Sequence, residues 1–311
     1  MLEQAVTHRL ASARHVLLAG CGGGYDVLGA LPLYLELRAS GREVHLGNLS
    51  FSSLDDLTTQ RDPALPNLHE VGPEAATELR YCPEAWLSSW LSRHEGSRVP
   101  VHAFAKTGVR PLREAYEALV KRLGLDAIVL VDGGVDALLR GDESSLGTPS
   151  EDLASLAAVD DVDVPVKLLA CVGLGTELRD GIRHAQVFER IGELARAGGY
   201  LGATALLPET AAGRAYHEAV EYVFAHQADH RRSHIHAVVR AASKGETGDH
   251  GPHVWLSALS SLYWFFDASV VARTHLFLEL LKPTETIFEV VARVEAARKG
   301  RAIRDRSDIP L

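Results

Sequence analysis

The sequence predicts an α/β fold: a mainly parallel sheet with helices on both faces, followed by a helical C-terminal extension. Two observations predict it. Short apolar runs alternate with longer helical patterns, which is typical of strand–helix–strand units and a parallel sheet. The runs HVLLAG (15–20), AIVLVD (127–132) and VKLLACVGL (166–174) present apolar side chains on both faces, as expected of strands that helices cover on both sides.

The remaining elements follow from their own patterns. We expect strands at 15–20, 43–50, 99–105, 127–132, 166–174 and 200–207. We expect helices at 27–40, 111–124, 148–159 and 182–199, and from Pro208 to about residue 229. Pro32 falls in the first turns of the first helix or kinks it. Thr148 is the predicted N-cap of the helix at 148–159, with Pro149 at its first position.

The predicted organisation is one domain over residues 1–311, with a core at 1–230 and a helical extension at 231–311 packed on it. Residues 51–97 are expected to form a loop-rich insertion with short helices. The most apolar stretch, VWLSALSSLYWFFDASVVA (254–272), is broken by Asp267 and several serines. We therefore expect a buried helix there, because a membrane span needs about 18 consecutive apolar residues.

Composition excludes several classes of protein. The chain has 311 residues, of which 46% are hydrophobic and 23% charged, as in ordinary globular proteins. A net charge of −9 argues against a nucleic-acid partner and against a basic membrane anchor. Cys21, Cys82 and Cys171 form no CxxC pair, which indicates a reducing compartment rather than a disulfide framework. We expect a cytoplasmic protein.

The stretch GCGGGYD (20–26) follows the first strand, where ligands bind in open parallel sheets. Its predicted ligand-binding residues are Gly22, Gly23, Gly24, Tyr25 and Asp26. Glycines allow close approach of the backbone, and a following helix offers free N–H groups to an anion such as phosphate. A dinucleotide fingerprint would need glycine at position 25 or 27, and a P-loop would need a lysine, so no NAD is expected. A purely structural tight turn is the alternative.

The stretch VDGGVDALLRGDESSLGTPSED (131–152) is rich in carboxylates and follows a buried strand. Asp132 and Asp136 are the predicted catalytic residues, and both are also predicted metal ligands together with Asp142. Clustered carboxylates suit Mg²⁺ or Mn²⁺; without a metal they could bind a cationic group or act as a general base. Glu143, Glu151 and Asp152 have an ordinary explanation as loop or helix-start charges.

Further polar residues follow other predicted strands. Gly133 and Gly134, in the acidic loop, and Gly175, Thr176 and Glu177, after the strand at 166–174, are predicted to bind ligand. Asn48 ends the second strand and joins them. Carboxyl ends of parallel strands share one edge of the sheet, so these loops are expected to enclose one cleft. The segment FAHQADHRRSHIH (224–236) holds four histidines. Three of them, His226, His230 and His234, are spaced four residues apart, and we interpret these three as a solvated face rather than a metal site.

Three blocks of the chain support a family resemblance. AGCGGGYDVLGALPLY (19–34), LVDGGVDALLRGDESSLGTPSEDLASLAAV (130–159) and ACVGLGTELRDGI (170–182) resemble the conserved blocks of the domain of unknown function 1152 proteins of archaea and bacteria. The resemblance implies a Rossmann-like α/β protein. It assigns no activity and no catalytic residue, so the site predictions depend on the loops alone.

Two functions are compatible with the sequence. The first is an enzyme that uses Mg²⁺ to hydrolyse a small phosphorylated or nucleotide-like molecule or to transfer a group from it. The second is a non-catalytic small-ligand-binding or sensor protein. An NAD(P)-dependent oxidoreductase is disfavoured, because the second strand ends in GNLS (47–50) without the acidic residue that binds ribose. The aromatic segment SLYWFFD (261–267) can line a core or a homo-oligomer interface.

Overall fold

The fold is a nine-stranded sheet between two layers of helices, and the computed structural model describes residues 4–77, 80–227, 232–250 and 254–304. In chain order, the strands are β1 (His15–Gly20), β2 (Glu43–Leu49), β3 (Gln60–Arg61), β4 (Leu68–Val71), β5 (Val101–Phe104), β6 (Ala127–Asp132), β7 (Val166–Val172), β8 (Tyr200–Ala205), β9 (Gly248–Asp249), β10 (Trp255–Leu256) and β11 (Leu262–Asp267). Strands β9 and β10 form a separate antiparallel pair.

The helices fill the connections between strands. In chain order they are α1 (Ala5–Arg9), α2 (Asp26–Gly29), α3 (Leu31–Ala39), α4 (Pro83–Glu95), α5 (Val109–Leu123), α6 (Pro149–Asp161), α7 (His184–Arg196), α8 (Ala211–His226), α9 (His234–Ser243), α10 (Ala268–Thr274) and α11 (Ile287–Arg298). Within the described ranges, no helix is both long and apolar enough to cross a bilayer.

The sheet confirms the predicted fold class. Its order is β3-β4-β5-β2-β1-β6-β7-β11-β8, and the five strands from β5 to β7 are parallel. Helices α3 and α8 pack on one face and α5, α6 and α7 on the other. The six predicted strands are all present, with ends within two residues of those expected. Sequence periodicity therefore located the parallel core correctly.

Two predicted elements differ in detail. The helix expected at 27–40 is divided at Ala30 into α2 and α3, and Pro32 lies in the first turn of α3, where its missing N–H costs nothing. The insertion at 51–97 is more regular than expected. It contains the 13-residue helix α4, and strands β3 and β4 extend the sheet antiparallel to β5.

The expectation of a buried helix at 254–272 is wrong at its centre. Residues Leu262–Asp267 form β11, which lies between β7 and β8 and runs antiparallel to both. Tyr263 and Phe265 enter the core on one face of the sheet, and Trp264 and Phe266 enter the core on the other. The aromatic segment therefore lines the core, and the last third of the chain supplies an interior strand as well as helices.

Candidate functional site

Three aspartates meet at the carboxyl edge of the parallel strands. Asp26 is the first residue of α2 directly after the glycine loop, Asp132 is the last residue of β6, and Asp152 lies in the first turn of α6. One carboxylate oxygen from each lies within 4.8 Å of the others. The three side chains, which we call the aspartate triad, are only 2–8% exposed.

The triad lies at the point where the direction of the chain's winding reverses. From β1 the chain passes through α3, on one face, to β2; from β5 it passes through α5, on the opposite face, to β6. Because β1 and β6 are neighbours with their connections on opposite faces, a crevice opens between their carboxyl ends. This is the position at which open α/β sheets bind ligands.

The glycine loop presents a carboxylate, not free amides. The N–H groups of Gly22 and Gly23 both donate to Asp26 Oδ2, at 2.7 and 3.0 Å. These are the amides that the sequence suggested would hold an anion. They instead hold Asp26 in place and stabilise its charged form, so that the loop delivers a negative group to the crevice.

Asp132 and Asp136 are both present at the crevice. Asp132 Oδ2 accepts the amide of Ala137 at 3.2 Å and the thiol of Cys171 at 3.7 Å. Asp136 Oδ2 accepts the amide and the hydroxyl of Thr148, at 3.1 and 3.3 Å. Thr148 precedes α6 as predicted, but its hydroxyl makes no helix cap, because it is bonded to Asp136.

The third loop adds Glu177 to the same acidic group. Glu177 is 7% exposed, and its Oε2 accepts the amide of Val135 at 2.6 Å. Gly175 has φ +98° and the hydroxyl of Thr176 donates to the Gly173 carbonyl at 2.6 Å. Gly175 and Thr176 therefore shape the turn that carries Glu177.

The glycines beside the acids provide space. A Cβ on Gly22 would lie 2.6 Å from the Asp152 carboxylate, one on Gly133 2.6 Å from Asp26 Oδ1, and one on Gly134 2.8 Å from the Glu177 carboxylate. None of these three glycines has a positive φ. Each is required because a carboxylate occupies the place of its side chain.

Burial and mutual repulsion raise the pKa values of these five acids. Loss of hydration raises the pKa of Asp26 to about 7 and that of Asp136 to about 6. Loss of hydration, and then the neighbouring carboxylates, raise the pKa values of Asp132, Asp152 and Glu177 well above normal. Over the described residues, no salt bridge reaches any of the five. Charge at this site therefore lacks a compensating side chain.

Two buried oxygen atoms here lack a hydrogen-bond partner within the described residues. They are Oδ1 of Asp152 and Oδ1 of Asn48. Asn48 Oδ1 and Asp26 Cβ both lie against Gly20, 2.0 and 2.9 Å from where its Cβ would be. An unpaired buried oxygen is costly, and both atoms could be satisfied by a hydrogen-bond donor or by a cation.

The wall on the β2 side contains Glu84, a residue that the sequence did not indicate. Asn48 Nδ2 donates to the carbonyl of Gly24 and to Glu84 Oε1, both at 2.9 Å. Glu84 is fully buried and also accepts the hydroxyl of Ser52 at 3.1 Å. Glu84 opens α4 after Pro83, so its position in the sequence has the ordinary explanation of an acid in a first helical turn.

Asp142, the third predicted metal ligand, is not brought to the triad. Its Oδ1 pairs with Arg304 Nε at 3.0 Å and its Oδ2 with Arg140 at 3.4 Å. Arg304 also binds Glu143 at 2.9 Å. This part of the acidic loop holds the end of the described chain instead of a ligand.

The histidine segment contributes one interior residue. His236, in the first turns of α9, is 1% exposed. Its Nε2 is 2.9 Å from the Tyr25 carbonyl, which can only accept, and its Nδ1 is 2.7 Å from the Tyr216 hydroxyl. His236 is therefore neutral with the proton on Nε2, and burial lowers its pKa to about 4. His236 is not among the three histidines interpreted as a solvated face, of which His230 lies outside the described residues.

The comparisons with known proteins identify a family but no activity. A family model described as a protein of unknown function (DUF1152) matches residues 93–299. That range includes Asp132, Asp136, Asp152 and Glu177, whereas the glycine loop lies before it. No curated protein and no solved structure matches the chain. With two thirds of its length covered, the chain belongs to the DUF1152 family of proteins of unknown function.

Proposed function

We propose that the protein is an enzyme that binds Mg²⁺, or Mn²⁺, at the aspartate triad and hydrolyses a small phosphorylated or nucleotide-like molecule or transfers a group from it. The observation that supports this most is the triad itself: three buried carboxylate oxygens within 4.8 Å, without a basic partner among the described residues. Ligands on opposite sides of a divalent cation are about 4–5 Å apart, so small side-chain movements would enclose one.

The metal would polarise an oxygen of the substrate and lower the pKa of a bound water. Asp136 is suited to accept a proton from that water. Its pKa, raised to about 6 by burial, is close to neutral pH, where a general base works best. Thr148, which donates two hydrogen bonds to Asp136, would hold the carboxylate in position. Asp132 would hold the metal directly.

The charges at the site would require a phosphorylated substrate to approach the acids through the metal. Five buried acids would repel an anion, and the Gly22 and Gly23 amides are already bonded to Asp26. A phosphate group could reach these five acids only through a cation, and Mg²⁺ sites in proteins commonly combine one or two carboxylates with substrate phosphate. Metal and substrate are therefore proposed to bind together.

Metal binding can be measured directly. Mn²⁺ titrated into the metal-free protein should lose its free-ion electron paramagnetic resonance signal at one site per chain. Asp132→Asn should weaken this binding at least tenfold. Asp163→Asn, the same change at an exposed residue, should leave it unchanged. Equal Mn²⁺ binding by wild type and Asp132→Asn would remove the basis of the proposal.

A sensor without turnover is the second candidate. His236 connects α9 to the glycine loop through the Tyr25 carbonyl, a contact by which occupancy of the crevice could alter the later helices. One experiment distinguishes the enzyme from the sensor. The Mg²⁺-loaded protein is incubated with phosphate esters and nucleotides, and phosphate release is measured. Steady release that Asp136→Asn abolishes supports the enzyme; tight binding without release supports the sensor.

The remaining expectations are also proposals. The three cysteines are buried and unpaired, which supports a reducing, cytoplasmic location. The glycine loop bonds its own Asp26, which leaves no free amide pair for a pyrophosphate and supports the expectation that NAD is not a cofactor.

A further inference from the structure

A polar cavity lies beside the glycine loop, at the carboxyl ends of β2 and β5. Its volume is about 670 Å³, within the range of small-molecule sites. Residues 50–56 after β2 and 105–107 after β5 form most of its walls. We propose that this cavity binds a sugar phosphate as the substrate of the triad, an inference that rests on the proposed function.

The walls of the cavity suit a polyhydroxylated molecule. Its lining includes hydroxyl, amide and acidic side chains: Ser50, Ser53, Asn67, Thr107, Asp55 and Asp56. Ser50 is 3% exposed, and its Oγ accepts the amide of Ser52 at 3.1 Å. That bond leaves the Ser50 hydroxyl hydrogen for a ligand oxygen. A mixture of donors and acceptors recognises sugar hydroxyls, which both donate and accept.

An aromatic ring forms the side of the cavity nearest the triad. Phe51 is 47% exposed although it lines this cavity. A Cβ on Gly23 or Gly24 would lie 3.0 Å from its ring carbons, so the ring rests on the glycine loop that carries Asp26. The apolar face of a sugar ring packs well on such a surface.

Lys106 marks the place of the phosphate. Its ammonium lies 4.2 Å from the centre of the Phe51 ring and 2.8 Å from Glu151 Oε1. Glu151 immediately precedes Asp152 in α6, so Lys106 stands on the triad side of the cavity. An ammonium has three donors and binds phosphate as a point charge. Glu151 accepts from one donor of the ammonium, so another donor can bind a phosphate that lies between Lys106 and the metal.

Arg61, the other basic residue of the cavity, is placed differently. It pairs with Asp55 at 3.4 Å and donates to the Pro66 carbonyl at 3.1 Å. Those partners orient it on the wall away from Glu151. Lys106 is therefore assigned to the phosphate, and the Arg61–Asp55 end to sugar hydroxyls.

The test compares each phosphate ester with its parent sugar. Ribose 5-phosphate, glucose 6-phosphate, ribose and glucose are titrated calorimetrically into the protein, with EDTA and again with Mg²⁺. At least one ester should bind at least tenfold more tightly than its sugar. Lys106→Met should remove that preference in EDTA and reduce it in Mg²⁺, whereas Lys167→Met, which removes a lysine at the opposite end of β7, should change it in neither buffer. Glu151→Gln should preserve or strengthen it, because Lys106 loses a competing carboxylate.

Phe51→Ala provides a second variant for the sugar. It should weaken ester and sugar by the same factor, leaving the preference for phosphate intact. Absence of binding by every ester, or an equal preference in Lys106→Met, would overturn the assignment. The measurement in EDTA does not depend on the metal. If the wild-type protein does not bind Mn²⁺ but Lys106→Met still loses the preference for the ester in EDTA, the result contradicts the proposed function and not this site.

Discussion

At the level of single residues, the glycines around the acids are spaces for carboxylates. Gly22 is the clearest example, because the Asp152 carboxylate lies where a Cβ would be. The backbone of Gly22 has no positive φ, so an alanine there would meet a steric conflict without backbone strain. This separates the role of the glycine as space from its role as a flexible residue.

Gly22→Ala should therefore displace Asp152. We expect a loss of about 1–3 kcal/mol in unfolding free energy, as for other overpacked sites, and Mn²⁺ binding at least tenfold weaker. Thermal melting and Mn²⁺ titration would measure the two effects. Gly192→Ala, within α7 and with only an arginine tip 3.7 Å away, is the matched control and should stabilise by about 0.5–1 kcal/mol. Unchanged Mn²⁺ affinity in Gly22→Ala would contradict the space argument.

The sequence indicated two members of the triad and missed the third. Asp26 and Asp132 were predicted because each follows a strand at its carboxyl end. Asp152 was explained as an acid at a helix start, which the helix dipole favours in any case. Its position in the sequence therefore gave no further indication of a functional role. Asp142 was assigned to the metal because its partner Arg304, 162 residues away in sequence, cannot be recognised without the fold.

Among the elements, α9 is fixed to the glycine loop by one interior side chain. His236 supplies a proton to the Tyr25 carbonyl and accepts one from Tyr216. The fold holds it neutral, with a pKa of about 4 rather than 6.5. The contribution of His236 to the free energy of unfolding is complete above pH 6.5. It is lost as the pH falls toward 4, because His236 takes up a proton in the unfolded chain before it does so in the folded chain.

His236→Gln should remove this pH dependence. The difference in unfolding free energy between wild type and variant should shrink by up to about 3 kcal/mol between pH 7 and pH 4, measured by urea unfolding at each pH. The glutamine amide can still donate to Tyr25, so Mn²⁺ binding should weaken less than in His236→Phe. His94→Gln, at an exposed position, serves as control. A constant difference across this range would show that the fold does not lower the pKa of His236.

The elements also show where periodicity is sufficient. β1 and β6 have the predicted ends, because a short apolar run bounded by glycines has few alternatives. β11 was mistaken for a helix, because a run apolar on both faces has neither the helical nor the strand period. Its strand conformation depends on hydrogen bonds to β7 and β8, which come from distant parts of the chain.

For the whole molecule, the buried acids relate stability to pH and to metal. The fold raises the pKa of Asp26 from 3.8 to about 7, and so favours its protonated form. Above about pH 4 the unfolded chain releases that proton while the folded chain keeps it. Stability of the metal-free protein should fall as the pH rises from about 4 to about 7, by about 4 kcal/mol for Asp26 alone.

Bound Mg²⁺ should oppose this fall, since it favours the ionised carboxylates. Melting temperatures from pH 5 to pH 8 should decline in EDTA and remain nearly level in 10 mM Mg²⁺. Asp152→Asn should show a shallower decline in EDTA and a smaller effect of Mg²⁺, whereas Asp163→Asn should behave as wild type. Identical profiles with and without Mg²⁺ in the wild-type protein would count against a metal at the triad.

The interior place of β11 also affects how the polypeptide acquires its shape during synthesis. β7 and β8 leave the ribosome well before residues 262–267, yet both pair with those residues and not with each other. Until then the nascent chain carries two strands with unpaired backbone edges, which readily join other chains. Residues 262–267 therefore determine whether the earlier strands close into a sheet or need a chaperone's protection.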